Sequence, residues 1–119
     1  MKILLVEDST AVVLVMKRRL SSFGHEVLLA KNGSEAVDMF HDCAPDLVLM
    51  DIEMPVMNGF EAASRIRAVE ATQQWAWTPI IFLSALNRDE NLVEGLEAGA
   101  DDYLTKPFNF VVLEAKLRS

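Results

Sequence analysis

Leu47-Val48-Leu49-Met50-Asp51-Ile52-Glu53-Met54-Pro55-Val56-Met57-Asn58-Gly59 is the stretch whose reading decides the fold. Four consecutive apolar residues, opened by Pro45-Asp46, fit a strand buried on both faces, as in the middle of a parallel sheet. Asp51 then stands at the carboxyl end of that strand. The Pro and the Asn-Gly pair that follow read as a loop. Open α/β sheets keep their ligand crevice at the carboxyl ends of the strands. A carboxylate at the lip of a hydrophobic sheet is therefore the first candidate functional group.

Outward from this stretch the same pattern recurs. Residues 3–6 predict a first buried strand, ended by Glu7-Asp8. Ser9 or Thr10 caps a helix that runs to about Phe23 and stops at Gly24. Val12, Met16, Leu20 and Phe23 make its core stripe, with Leu14 on the opposite face. Residues 27–30 are a second strand, and Asn32-Gly33 turns the chain into a helix over about 34–43. A helix over about 60–71 follows the Asp51 loop. The connection 72–78 carries Trp75 and Trp77, expected to fold over the end of the sheet. Residues 80–83 form a fourth strand ending at Ser84. A helix runs from Asn87-Arg88-Asp89 to Ala98-Gly99. A short strand over 103–105 ends at Lys106-Pro107, and the last helix runs from about Phe108 to near Ser119. Strand and helix alternate five times, which predicts a parallel sheet with helices on both faces.

Size and composition bound the function. A chain of 119 residues is one domain. No apolar run approaches the ~20 residues of a membrane span, and the acidic pair Glu7-Asp8 comes too early for a signal peptide. Cys43 is alone, so no disulfide framework is available and a cytoplasmic location is expected. A net charge of −7 argues against direct binding of nucleic acid, which needs a basic face. The chain stops in or just after its last helix. This leads us to expect a domain cut from a longer protein with a C-terminal output domain.

Four of the five strands end in polar groups that suit a single chemistry, namely Glu7-Asp8, Asp51, Ser84 and Lys106. Each alone has an ordinary reading as a helix cap or a surface residue; in a parallel sheet all four converge on one edge. Grouped carboxylates repel, by about 4 kcal/mol for two charges ~4 Å apart at an effective dielectric near 20. Such a cluster persists where a cation occupies it, and oxygen ligands without Cys or His favour a hard ion such as Mg²⁺. His25 and His41 fall on the far side of their elements. Asp51 is the candidate nucleophile, since carboxylates form aspartyl phosphates. Mg²⁺ on one phosphoryl oxygen, Lys106 on a second, and the Ser84 hydroxyl with the Ala85 N–H on a third leave none without a partner.

Taken together, Glu7-Asp8, Asp51 with Met54-Pro55 and Asn58-Gly59, Ser84-Ala85, and the run from Gly99 to Phe108 (GADDYLTKPF) resemble the receiver domain of two-component response regulators. Motif order and spacing are kept over the whole chain. The resemblance implies a flavodoxin-like fold of strand order 2-1-3-4-5. It implies that Asp51 accepts a phosphoryl group from a histidine of a sensor kinase or phosphotransfer domain. It places Mg²⁺ on Asp8, Asp51 and the main-chain carbonyl of Glu53, with Glu7 acting through water. It also implies a switch in which the Ser84 hydroxyl moves toward the phosphate and Tyr103 turns inward.

Partner surfaces follow. Leu14 is expected to dock the helices of the phosphodonor. The last helix carries Phe110, Val111, Val112, Leu113 and Leu117, more apolar positions than one buried stripe requires. The face made by the fourth helix, fifth strand and last helix is a candidate for a homodimer or for contact with an output domain. Leu86 and Glu53 are expected to set how fast water removes the phosphoryl group. Two other functions compete: an aspartyl-phosphate phosphatase, suggested faintly by Asp51-Ile52-Glu53, and a scaffold that works without phosphorylation. The first lacks a motif on the first strand and any insertion for a substrate cap. The second would be expected to have lost one of the acids or Lys106.

Overall fold

The computed structural model describes residues 1–73, 77–84, 89–106 and 109–118. Five strands alternate with five helices: β1 (Lys2–Val6), α1 (Thr10–Ser22), β2 (Glu26–Ala30), α2 (Gly33–Cys43), β3 (Leu47–Asp51), α3 (Gly59–Gln73), β4 (Ile80–Ser84), α4 (Asp89–Ala98), β5 (Asp102–Thr105) and α5 (Phe110–Arg118). The strands form one parallel sheet of order β2-β1-β3-β4-β5. This is the flavodoxin-like arrangement expected from the sequence. β3 and β4 are buried along their whole length, as their unbroken apolar runs require of strands covered on both faces.

Alternation along each strand divides the core in two. Leu4, Val6, Val48, Met50, Ile80 and Phe82 face one side, where Ala36 and Phe40 of α2 and Ala62, Ala63 and Ile66 of α3 cover them. Ile3, Leu5, Leu47, Leu49, Ile81 and Leu83 face the other, under Met16 and Leu20 of α1 and Leu113 and Leu117 of α5. The stripe on α1 is thus confirmed at Met16 and Leu20, with Val12 packed at its edge and Phe23 serving as the C-cap. Leu14 is 61% exposed.

Side-chain caps start the helices at the carboxyl edge of the sheet. Ser9 Oγ accepts from the Val12 N–H, Asn32 Oδ1 from Glu35, Asn58 Oδ1 from Glu61, and Asn109 Oδ1 from Val111 and Val112. The helices therefore begin around the strand ends that carry Glu7, Asp51, Ser84 and Lys106, with their positive dipole ends toward the acidic groups.

The opposite edge is closed by a charged node centred on Arg67 of α3. Its guanidinium donates to Glu70 Oε1, to the Thr78 carbonyl and to Asp101 Oδ2, each at 2.7 Å, and to the Gly99 carbonyl at 3.0 Å. Asp101 also accepts from the Ile80 N–H and from Trp77 Nε1. The centre of the Trp77 ring lies 3.4 Å from the guanidinium carbon. Trp77 does fold over this end of the sheet, as a lid on Arg67 that stays 61% exposed. Trp75 lies outside the described residues.

Candidate functional site

Two strand ends bring the acids together. Glu7 follows β1, Asp51 closes β3, and carboxylate oxygens of Glu7, Asp8 and Asp51 all lie within 4.8 Å of one another. Glu7 and Asp51 are buried, at 2% and 6% exposure, while Asp8 is open to solvent. Lys106 reaches in from the end of β5. Its Nζ donates to Glu7 Oε1 at 2.9 Å and lies 3.5 Å from Asp51 Oδ2. Ser84 is buried at the end of β4, and its carbonyl accepts from the Lys106 N–H at 2.8 Å.

Close backbone approach holds Asp51 in place. The Ile52 N–H donates to the Leu83 carbonyl, and the Gly59 N–H returns to the Ile52 carbonyl at 2.9 Å. A Cβ on Gly59 would sit 2.5 Å from the Asp51 carbonyl oxygen, so only glycine lets α3 start this close to the site. The loop between them is not neutral scaffolding. The Glu53 N–H is directed at the Asp51 carboxylate, and Glu53 lines a groove with Asp8, Met54, Pro55, Asn58, Phe60 and Glu94.

The electrostatics follow from the burial. Desolvation, then the hydrogen bond with Glu7 and the Glu7 charge, push the Asp51 carboxyl up to about 7; Lys106 and the Glu53 N–H oppose this without overcoming it. Burial disfavours the Lys106 ammonium. Its hydrogen bond to Glu7 and the charges of Asp51 and Glu7 outweigh that, and hold its pKa above the usual lysine value. Among the described residues, one lysine is thus paired against a cluster of three acids. A donor set of carboxylate oxygens within reach of a single point, and short of positive charge, fits a hard divalent cation.

Of the residues singled out from the sequence, the structure brings Glu7, Asp8, Asp51, Ser84 and Lys106 to one edge and sets Glu53 beside Asp51. Tyr103 is half-buried against the first core cluster, in register with Phe82. Ala85 and Leu86 lie outside the described residues. His25 meets the N-terminal amine and His41 meets Asp42, both away from the acids. Sequence reasoning missed the direct Lys106–Glu7 pairing. The partners are 99 positions apart, and no local signal joins them.

Fold and site define a doubly wound α/β protein with an acidic, lysine-bearing pocket at the carboxyl ends of its strands. The family model described as the response regulator receiver domain matches residues 3–118, and the chain belongs to that family. A transcriptional regulatory protein of Streptomyces coelicolor, AfsQ1, is 38% identical over 117 residues, covering 98% of this chain and 49% of the relative. The chain spans about half the length of the curated relatives it matches. Among solved structures, the magnesium-bound receiver domain of the sensor histidine kinase PA1611 from Pseudomonas aeruginosa superposes with a TM-score of 0.88 at 37% identity, over 98% of this chain and 93% of that one. The Saccharomyces cerevisiae co-crystal structure of the phosphotransfer protein Ypd1 with the receiver domain of Ssk1 gives 0.92 at 33% identity, over 98% and 85%.

Proposed function

We propose that this receiver domain is a magnesium-dependent phosphorylation switch in which Asp51 accepts a phosphoryl group from a phosphohistidine. The observation that carries the reading is the placement of Lys106, 2.9 Å from Glu7 and 3.5 Å from Asp51 in a pocket of three acids. A carboxylate oxygen of Asp51 forms the new bond to phosphorus while the phosphorus–nitrogen bond breaks, its electron pair staying on the imidazole. Asp8, Asp51 and the Glu53 main-chain carbonyl would hold Mg²⁺, with Glu7 through water. When bound, the ion neutralises phosphoryl charge. Lys106 is near enough to Asp51 to meet a second phosphoryl oxygen. The Ser84 hydroxyl and the Ala85 N–H take the third.

The same charge then works the switch. An anion on Asp51 draws Ser84 toward it, and the half-buried Tyr103 turns into the space released. Val93 and Leu96 on α4 and Val111 and Val112 on α5 are exposed apolar residues flanking β5. They suit a homodimer or an output domain through the α4-β5-α5 face. A sensor kinase or histidine phosphotransfer domain is the donor, docking at Leu14 on α1. By analogy with the regulators it resembles, the output is a domain in the same protein. The receiver itself contacts neither nucleic acid nor membrane, and slow self-dephosphorylation resets it.

Radiolabelled phosphoramidate with Mg²⁺ tests this. The protein should take up acid-stable, alkali-labile label, and Asp51→Asn should take up none. Equal labelling of Asp51→Asn, or no labelling of the unaltered protein, refutes it.

A further inference from the structure

The loop after Asp51 is held by two opposed features. Val56 has a φ of +70°, and the Met57 N–H donates to the Pro55 carbonyl at 2.7 Å, which makes residues 55–57 a γ-turn of the strained, positive-φ type. A β-branched residue there is a genuine outlier. Val56 is 84% exposed, so no packing of its own side chain offsets the strain. The compensating contact comes from the backbone of the next residue. The Met57 carbonyl accepts from the N–H of Gly33, in the first turn of α2, at 3.3 Å. That approach depends on glycine. A Cβ at Gly33 would lie 2.6 Å from the Met57 carbonyl oxygen and 3.0 Å from both Met57 Cβ and Ala62 Cβ.

We infer that Gly33 and Val56 are positioning residues for the ion pocket. The latch from α2 holds the loop in its site-forming geometry, strain at Val56 pulls it away, and the balance sets the affinity for a divalent cation. The link to the pocket is short. Glu53 lies in the same loop, its N–H faces the Asp51 carboxylate, and the loop is closed by the Gly59–Ile52 hydrogen bond. Neither Gly33 nor Val56 touches the acids, so both act through loop position alone. The inference rests on the receiver reading and adds to it which residues outside the pocket tune ion binding.

The two residues predict changes of opposite sign. Val56→Gly removes the strain and should tighten Mg²⁺ binding by about 3–10-fold, because glycine adopts positive φ freely. Gly33→Ala pushes Met57 back and should weaken binding by a similar factor. Titration calorimetry with MgCl₂ measures both, and thermal unfolding in EDTA reports the fold separately. If Gly33→Ala fails to fold, Val56→Gly still decides, since an exposed residue with only a structural role would change melting temperature and leave Mg²⁺ affinity alone. Normal Mg²⁺ binding by the unaltered protein, with Val56→Gly equal to it or weaker, overturns the inference by itself. Absence of Mg²⁺ binding in the unaltered protein overturns the receiver reading as well.

Discussion

Replacing Asp51 by Asn should make the metal-free domain more stable, and by an amount that depends on pH. The carboxyl is held up at about 7 in the folded protein, against an ordinary value near 3.9 in an unfolded chain. A group whose folded pKa is raised contributes its full stability below the unfolded value and loses it as pH rises through the folded value. Above pH 7 the folded protein carries the whole cost of an ionised Asp51 beside Glu7. About three decades of proton affinity at 1.4 kcal/mol each set an upper bound of about 4 kcal/mol. Because part of that shift comes from the hydrogen bond with Glu7, about 2–4 kcal/mol is the expected range. The substituted side chain would carry no charge, and its amide can donate to Glu7 as the protonated acid does. For a domain of this size, that is a melting point about 8–15 °C higher at pH 8 in EDTA. The gap should narrow to under half by pH 5. Saturating Mg²⁺ should also narrow it, by binding the unaltered protein and not the variant. Thermal unfolding followed by circular dichroism measures all three. A variant no more stable than the parent at pH 8, or a gap that does not move with pH, refutes the electrostatic reasoning.

Other perturbations probe separate parts of the molecule. Lys106→Met leaves Glu7, buried to 2% exposure, without its cation. Urea unfolding at pH 8 without metal should show a loss of about 2 kcal/mol, fading toward pH 5 as Asp51 takes up a proton. Arg67→Met strands Glu70 and Asp101 at the far edge. It should cost about 3 kcal/mol, shift the fluorescence of Trp77, and leave Mg²⁺ affinity within twofold of the parent. Leu14→Asp, at an exposed position, should change stability by less than about 0.5 kcal/mol. It should slow phosphoryl transfer from a phosphohistidine protein while leaving labelling by phosphoramidate unchanged; equal loss with both donors removes Leu14 from the docking surface.

Most of the fold was legible because the sheet is buried on both faces. Runs such as residues 47–50 and 80–83 admit few other readings, and parallel topology then places Asp51, Ser84 and Lys106 on one edge without any long-range information. Element ends moved by one or two residues, as at Glu26, Gln73 and Asp102. Those ends are decided by ladder partners and tertiary contacts, Glu26 by its register with Lys2 for example. Three features left no periodic trace. The Lys106–Glu7 pair joins the first strand's end to the last strand's. The Arg67 node gathers main-chain carbonyls that any sequence possesses. The positive φ at Val56 runs against its own residue type, so propensity points away from it.

The separation of Lys106 from the acids also orders events on the ribosome. Once β3 has emerged, a growing chain already holds Glu7, Asp8 and Asp51, but the ammonium that pairs with Glu7 arrives only after α3, β4, α4 and β5 have followed. Until then Glu7 is without the lysine that pairs with it in the folded domain. The domain's last strand therefore delivers the lysine of the pocket as well as the final edge of the sheet.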